Sequence, residues 1–184
     1  MTEVVRLTLI SHAMTDAMAA GRFPADEPLN DIGRRQAEAV TGLQVPGRTR
    51  QLTGPERRAR QTAQLLRLDA VPDPRLADLD CASWRGQTLA EVRQDDLAEW
   101  LTDPARSPHG GETIVDLIGR VATWLASLTE DAKSATVAVT HPAVIRAAVL
   151  LALGAPPKSF WRIDVVPTGR TVMHFRGEGW TLRL

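Results

Sequence analysis

Two short segments of the chain are apolar at almost every position, while most of the longer segments repeat their apolar residues every three or four positions. The two runs are Val4–Ile10 (Val-Val-Arg-Leu-Thr-Leu-Ile) and Thr136–Thr140 (Thr-Val-Ala-Val-Thr). Their β-branched, nearly continuous character predicts strands covered on both faces, as in a parallel sheet. Arg50–Thr53 predicts a third, shorter strand. Helices are predicted over 32–43, after the capping pair Asn30-Asp31, and over 56–68, after the Gly54-Pro55 turn. Further helices are predicted over 89–101, ended by Asp103-Pro104, over 112–128 and over 143–153. The segment 76–86 reads as irregular, and two or three strands are predicted at the C-terminal end, from 160–166, 171–176 and 180–184. Strands that alternate with helices in this way predict an α/β fold around a mainly parallel sheet.

Composition narrows the class. With 184 residues, 43% hydrophobic and 24% charged, the chain is expected to form one domain over 1–184 rather than a disordered or fibrous protein. Lys+Arg and Asp+Glu both number 22, and this neutrality argues against a nucleic-acid binder or a polybasic membrane protein. The neutrality is not local: residues 48–68 hold Arg48, Arg50, Arg57, Arg58, Arg60 and Arg67 against Glu56 alone. The single cysteine, Cys81, allows no internal disulfide and reads as a small buried hydrophobe. Met1–Arg6 lacks the basic and apolar regions of a signal peptide, and the longest apolar run, Ala147–Leu153, is far short of the roughly 20 residues that span a bilayer. The expectation is a cytoplasmic monomer or small oligomer, such as a homodimer.

The candidate chemistry sits at strand ends. Both apolar runs finish in a histidine, Ser11-His12 and Thr140-His141, and ligands of open α/β sheets bind beyond the carboxyl ends of the strands. Two of the four histidines thus fall in equivalent slots. The third strand leads into Thr53-Gly54-Pro55-Glu56-Arg57-Arg58, a helix start crowded with cations. The helix dipole opposes cations there and attracts anions, which points to an anionic ligand.

In order along the chain, these segments resemble the histidine phosphatase superfamily, whose best-known branch is the cofactor-dependent phosphoglycerate mutases. Ser11-His12-Ala13 occupies the place of the family's Arg-His-Gly signature. Leu29-Asn30-Asp31-Ile32-Gly33-Arg34-Arg35-Gln36-Ala37 resembles its Leu-Thr-x-x-Gly-x-x-Gln-Ala helix start. Thr53–Ala63 resembles its Ser-x-Pro-x-x-Arg-Ala-x-Gln-Thr-Ala block. Leu76-Ala77-Asp78 with Trp84-Arg85-Gly86, Gly110-Gly111-Glu112-Thr113 and Val139-Thr140-His141 resemble three further family segments. The short chain is most similar to the small phosphatase branch. The resemblance implies a three-layer α/β/α fold of the phosphoglycerate mutase type. It also implies metal-independent hydrolysis of a small phosphorylated metabolite with no cofactor.

The resemblance further implies roles. His12 would be the nucleophile, whose neutral imidazole takes the phosphoryl group. Arg58 would grip the phosphate in bidentate fashion, and His141 would bind the same group and stabilise its charge. Asp78 would be the general acid and then the base, which near neutral pH requires a raised pKa. Ser11 stands where the family has an Arg and offers one neutral donor. Loss of such a charged donor costs on the order of 10²–10³ in rate. Arg22 and Arg85 are candidates to take its place. Ala13 stands where the family has a Gly, which matters if the backbone there needs a positive φ. Arg22, Trp84, Arg85 and His109 are candidates for the substrate pocket, and His174 is assigned to structure.

Two rival readings remain. A zinc hydrolase could use His12, Asp16, Asp78 and His141, but the chain has no His-Glu-x-x-His or Cys pair, and an Arg-rich helix start suits an anion better than a cation. P-loop and dinucleotide-binding glycine motifs are missing. A phosphate-binding relative that is catalytically impaired or does not turn over is the alternative that Ser11 favours.

Overall fold

In the computed structural model, residues 4–130 and 135–184 are described. The elements are β1 (Val4–Ser11), α1 (Asp16–Ala19), α2 (Asp31–Glu38), β2 (Arg50–Thr53), α3 (Arg57–Leu65), β3 (Val71–Pro72), α4 (Gln94–Thr102), α5 (Ile114–Thr129), β4 (Ala135–Thr140), α6 (Pro142–Leu153), β5 (Arg170–Arg176) and β6 (Gly179–Arg183). Among the described residues the sheet runs β3-β2-β4-β1-β5-β6. The first four strands are mutually parallel, and β5 and β6 are antiparallel additions on the β1 side.

The two apolar runs are the central pair. β1 and β4 lie side by side with Ser11 opposite Thr140, so His12 and His141 leave the sheet at the same level. Both faces of this pair are covered. Leu7, Leu9 and Ala138 face a core built with Leu117, Val121 and Trp124 of α5 and Ile145 and Ala148 of α6. Ile10, Val137 and Val139 face the other way, onto Ala59 and Ala63 of α3. Period-two alternation sends successive residues to opposite faces, so a strand buried on both must be apolar throughout. The layers are therefore helix, sheet and helix, as the resemblance implies.

Local chemistry sets the element ends. Asn30 caps α2 by accepting from the Gly33 N–H at 2.8 Å, as its sequence position predicts. The α2 helix ends at Glu38 rather than at residue 43, and Gly42 beyond it has a φ of 69°. The α4 helix begins at Gln94 rather than 89. The strand expected over 160–166 is not formed: Pro157–Arg162 makes 3₁₀ turns instead. Pro156 and Pro157 supply no N–H to a ladder. Phe160 is buried, and Trp161 packs on Trp100 with ring centres 4.5 Å apart. Two short elements were not expected from the sequence: α1, capped by Thr15, and the two-residue edge strand β3. No described helix is long and apolar enough to cross a membrane.

Candidate active site

The carboxyl ends of β1, β2 and β4 are tied together by backbone hydrogen bonds. The His12 N–H donates to the Thr140 carbonyl at 2.9 Å, and the Gly54 N–H donates to the Val139 carbonyl at 2.8 Å. His12, Gly54 and His141 are thereby gathered at one edge.

His12 is 3% exposed. Its Nδ1 lies 2.8 Å from the Ala13 carbonyl. A carbonyl can only accept, so the proton is on Nδ1 and the Nε2 lone pair is free. Burial first, then the charges of His141 and Arg58, lower its pKa to about 3, so the ring is neutral over the physiological range. Ala13 has no positive φ, so its methyl is no obstacle here. Its N–H donates to Thr62 Oγ1 at 3.0 Å, which anchors the turn to α3.

The depressed pKa of His12 has a consequence for stability. Between pH 6.5 and about 3 the unfolded chain binds a proton at this residue and the folded chain does not, so stability falls as pH falls through that window. At about 1.4 kcal/mol per pKa unit the full effect is on the order of 5 kcal/mol. Urea midpoints measured from pH 7 to 4 are expected to drop, and to drop much less in a His12→Asn variant. An equal drop in both would assign the acid sensitivity to other groups.

Arg58, the second residue of α3, is 1% exposed. Nη2 donates to Asp78 Oδ2 at 2.7 Å, Nη1 donates to the Ala25 carbonyl at 2.7 Å and lies 3.7 Å from Glu27, and Nε is buried without a partner. His141 occupies the N-cap position of α6 without a side-chain cap and is fully buried. Its ring centre is 5.1 Å from that of His12. Its Nε2 is 2.7 Å from Glu56 Oε2, and its Nδ1, which has no hydrogen bond, is 3.5 Å from Asp78 Oδ2.

Glu56 is the residue that sequence reasoning left unassigned. It occupies a variable position of the arginine block, and as the N-terminal flank of α3 it makes no side-chain cap. Its carboxylate instead reaches His141 and accepts the Asp78 N–H at 2.9 Å. Burial works to raise its pKa, but the hydrogen bond and charge of His141 prevail and lower it. The run of cations around a lone acid was the available signal.

Asp78 reverses one expectation. Burial pushes its carboxyl upward, but His141 and Arg58 outweigh burial and bring the pKa down to about 2. It is a carboxylate here, held by the groups that were expected to hold phosphate.

Gly54 makes this packing feasible. A Cβ there would lie 2.8 Å from His141 Nε2 and 2.9 Å from the Leu76 carbonyl oxygen. Gly54→Ala must therefore displace the imidazole, because the carbonyl cannot yield. The expected result is a loss of about 10²-fold or more in any activity of the site that uses His141. Thermal unfolding together with an activity measurement checks this, and an unimpaired Gly54→Ala variant would contradict the packing.

The other sequence candidates fall less close to His12. Ser11 is fully buried and does not line the cavity, and its Oγ reaches only the His12 carbonyl at 3.5 Å. Arg22 borders the cavity but is tied to the Gly86 carbonyl at 2.9 Å and lies 3.5 Å from Glu91. Arg85 pairs with Asp80 at 2.7 Å and lines an adjoining depression with Glu56. His109 is 2% exposed and packs against Trp84, with ring centres 5.1 Å apart. Neither His109 nor Trp84 lines the cavity, and Trp100, Phe160 and Trp161 form its aromatic wall instead. This cavity, of about 180 Å³, also meets His12, Arg58, Asp78 and Arg146. Cys81 lies on it, but burial, with Asp78 and Asp80, pushes its thiol pKa up to about 12, so it remains protonated. His174 sits on β5 away from the site.

Residues 7–184 match the family profile of the histidine phosphatase superfamily (branch 1). A bifunctional protein of Mycobacterium tuberculosis is 30% identical over 186 residues, which cover 95% of this chain and 51% of that protein. The chain thus spans about half the length of the first curated relatives that it matches. Phosphoserine phosphatase 1 of Hydrogenobacter thermophilus is 25% identical, covering 93% of this chain and 87% of that one. The structure of a mycobacterial glucosyl-3-phosphoglycerate phosphatase complexed with VO3 superposes with a TM-score of 0.79 at 26% identity, over 97% of each chain.

Proposed function

The chain belongs to the histidine phosphatase superfamily, and from that premise we propose that it hydrolyses a small phosphomonoester through a phosphohistidine on His12, without a metal. One observation carries this reading. Asp78 Oδ2 sits 2.7 Å from Arg58 Nη2 and 3.5 Å from the unpartnered Nδ1 of His141, beside the His12 ring. Arg58 donates to that oxygen, and His141 Nδ1 faces it, donating in the doubly protonated form of the ring because Nε2 is taken by Glu56. A phosphoryl oxygen is the ligand for which this convergence is useful.

The steps follow from the positions of these atoms. The phosphoryl group takes over Arg58 and His141 from Asp78. The Nε2 lone pair of His12 attacks phosphorus, the ester P–O bond breaks, and the leaving oxygen takes a proton from Asp78. In the second step Asp78 takes a proton from water, the resulting hydroxyl attacks phosphorus, and the P–N bond to His12 breaks. Asp78 can serve as the acid only after losing its cationic partners to the substrate. Next to a bound phosphoryl anion it then experiences repulsion in place of attraction, which raises its pKa. This resolves the conflict between a value of about 2 in the free site and the role of an acid.

Glu56 supports His141 in the way that a carboxylate orients a catalytic imidazole. It takes the Nε2 side, so Nδ1 is left to face the phosphoryl group. Glu56→Gln is expected to lower kcat by about 10- to 100-fold with a smaller change in KM. An increase in rate would mean that Glu56 competes with phosphate for His141.

The decisive experiment is phosphate release from a panel of phosphomonoesters with a chelator present. Release supports the reading, and silence across the panel rejects it. The second reading, phosphate binding without turnover, is favoured by the neutral Ser11, and saturable vanadate or phosphate binding with no hydrolysis would select it.

A further inference from the structure

The proposed reaction accounts for the floor of the cavity but not for its wall. Pro142, Ala143 and Arg146 of α6 all line the cavity, at the spacing that puts residues on one helical face. With a rise of about 1.5 Å per residue, Arg146 stands roughly 6 Å further along the helix than Pro142, on the aromatic side and away from the phosphoryl donors.

Its guanidinium is fixed in place but has no anionic partner. Nε donates to the Ile163 carbonyl at 2.8 Å, and the guanidinium carbon lies 5.7 Å from the Phe160 ring centre and 5.5 Å from that of Trp161. Among the described residues no carboxylate comes within 4.0 Å of it. Asp164 and Asp78 act on it only at longer range, and burial lowers its pKa from the ordinary value. A half-buried, preorganised cation without a counter-ion is costly unless a ligand supplies one. Trp100, of the same wall, has a buried indole N–H without a hydrogen-bond partner.

The rest of the wall is apolar. Phe23, Trp100, Phe160 and Trp161 offer ring faces. Arg22 and Glu27 also line the cavity, but Arg22 is tied to the Gly86 carbonyl and Glu27 accepts from Thr15 Oγ1 and the Ala25 N–H, so few polar groups are left to hold the hydroxyls of a polyol. Desolvated hydroxyls without partners lose affinity. An apolar cavity of about 150 Å³ holds benzene, and this one, of about 180 Å³, also borders the phosphoryl site at His12 and Arg58, so the leaving group it takes is no larger than a single ring.

We propose that the leaving group is a flat, apolar ring carrying a carboxylate, and that Arg146 binds that carboxylate as the specificity-determining contact. This rests on the phosphatase reading and deepens it. The site would thus select carboxylated aryl phosphomonoesters over sugar phosphates.

The test compares 3-carboxyphenyl phosphate, phenyl phosphate and glucose 6-phosphate as substrates. For the unaltered protein, kcat/KM is expected to be about 10- to 100-fold higher for the carboxylated ester than for phenyl phosphate, with the sugar phosphate lowest. In Arg146→Gln the ratio of the two aryl esters should collapse toward one. In Arg146→Lys, which keeps the charge but not the fork, it should be intermediate. A ratio is insensitive to a general loss of folded protein, and the first comparison needs no variant at all. If no ester is hydrolysed, the phosphatase reading fails by itself. The carboxylate preference is then read from calorimetric binding of the same three esters to the unaltered protein. Equal handling of the two aryl esters, a preference for the sugar phosphate, or a preference that survives Arg146→Gln would each overturn the proposal.

Discussion

A His12→Ala variant is expected to release phosphate at least about 10⁴-fold more slowly than the unaltered protein, with no phosphoryl label retained on the chain after acid-sensitive, base-stable trapping. The size of the effect follows from the role. In the proposed reaction His12 supplies the attacking lone pair and its neighbours do not replace it: His141 faces Glu56 with Nε2 at 2.7 Å and serves the phosphoryl group through Nδ1 as a donor, and the Cys81 thiol is held protonated by its burial. The variant should fold, because among the described residues the His12 side chain makes one hydrogen bond, to the adjacent carbonyl. It should also lose the acid sensitivity of a buried neutral imidazole. Label transfer and release rates measured on a single ester decide the matter. Equal release by both proteins would remove His12 from the reaction.

Arg58→Ala should be damaging in two ways at once. In the proposed reaction it removes a preorganised charged donor from the phosphoryl group, a loss of about 10²–10³ in rate. It also strands Asp78, whose Oδ2 accepts from Arg58 Nη2 at 2.7 Å. Breaking a buried ion pair from one side costs about 3–5 kcal/mol, and the Arg58 side chain is only 2% exposed. The two effects separate experimentally. An Arg58→Ala/Asp78→Asn double variant should recover much of the stability and none of the activity. If the single variant were as stable as the parent, the pair would not be the buried clamp described here. If it were fully active, Arg58 would not be the phosphate ligand.

These expectations differ in how far the sequence foreshadowed them. The pairing of His12 with His141 was legible because two apolar runs ending in histidine leave few arrangements. Strands covered on both faces belong at the centre of a sheet, and neighbouring parallel strands end at one edge. Arg58 was legible because a cation at a helix start is locally unfavourable and calls for an anion. The ionisation of Asp78 was not legible. It depends on partners 20 and 63 positions away in sequence, and on the balance of burial against their charge. The substitution at Ser11 looked like a vacancy that Arg22 or Arg85 could fill. Both are tied to groups outside the reacting centre, and the further arginine on the cavity is Arg146, which no motif marked.

Periodicity and strand-end chemistry in the sequence determined the α/β layering, the central strand pair and the identity of the residues at its carboxyl edge. Those features are local or follow from burial on both faces, so they are written into consecutive residues. Only the tertiary structure decided which carboxylate meets which cation. It placed Glu56 against His141, Asp78 against Arg58 and, among the described residues, no acid within ion-pair distance of Arg146. It also moved the pocket wall from Trp84 and His109 to Trp100, Phe160 and Trp161. Charge pairing and cavity shape depend on distances of a few ångströms between segments remote along the chain, and no pattern of neighbouring residues encodes such distances.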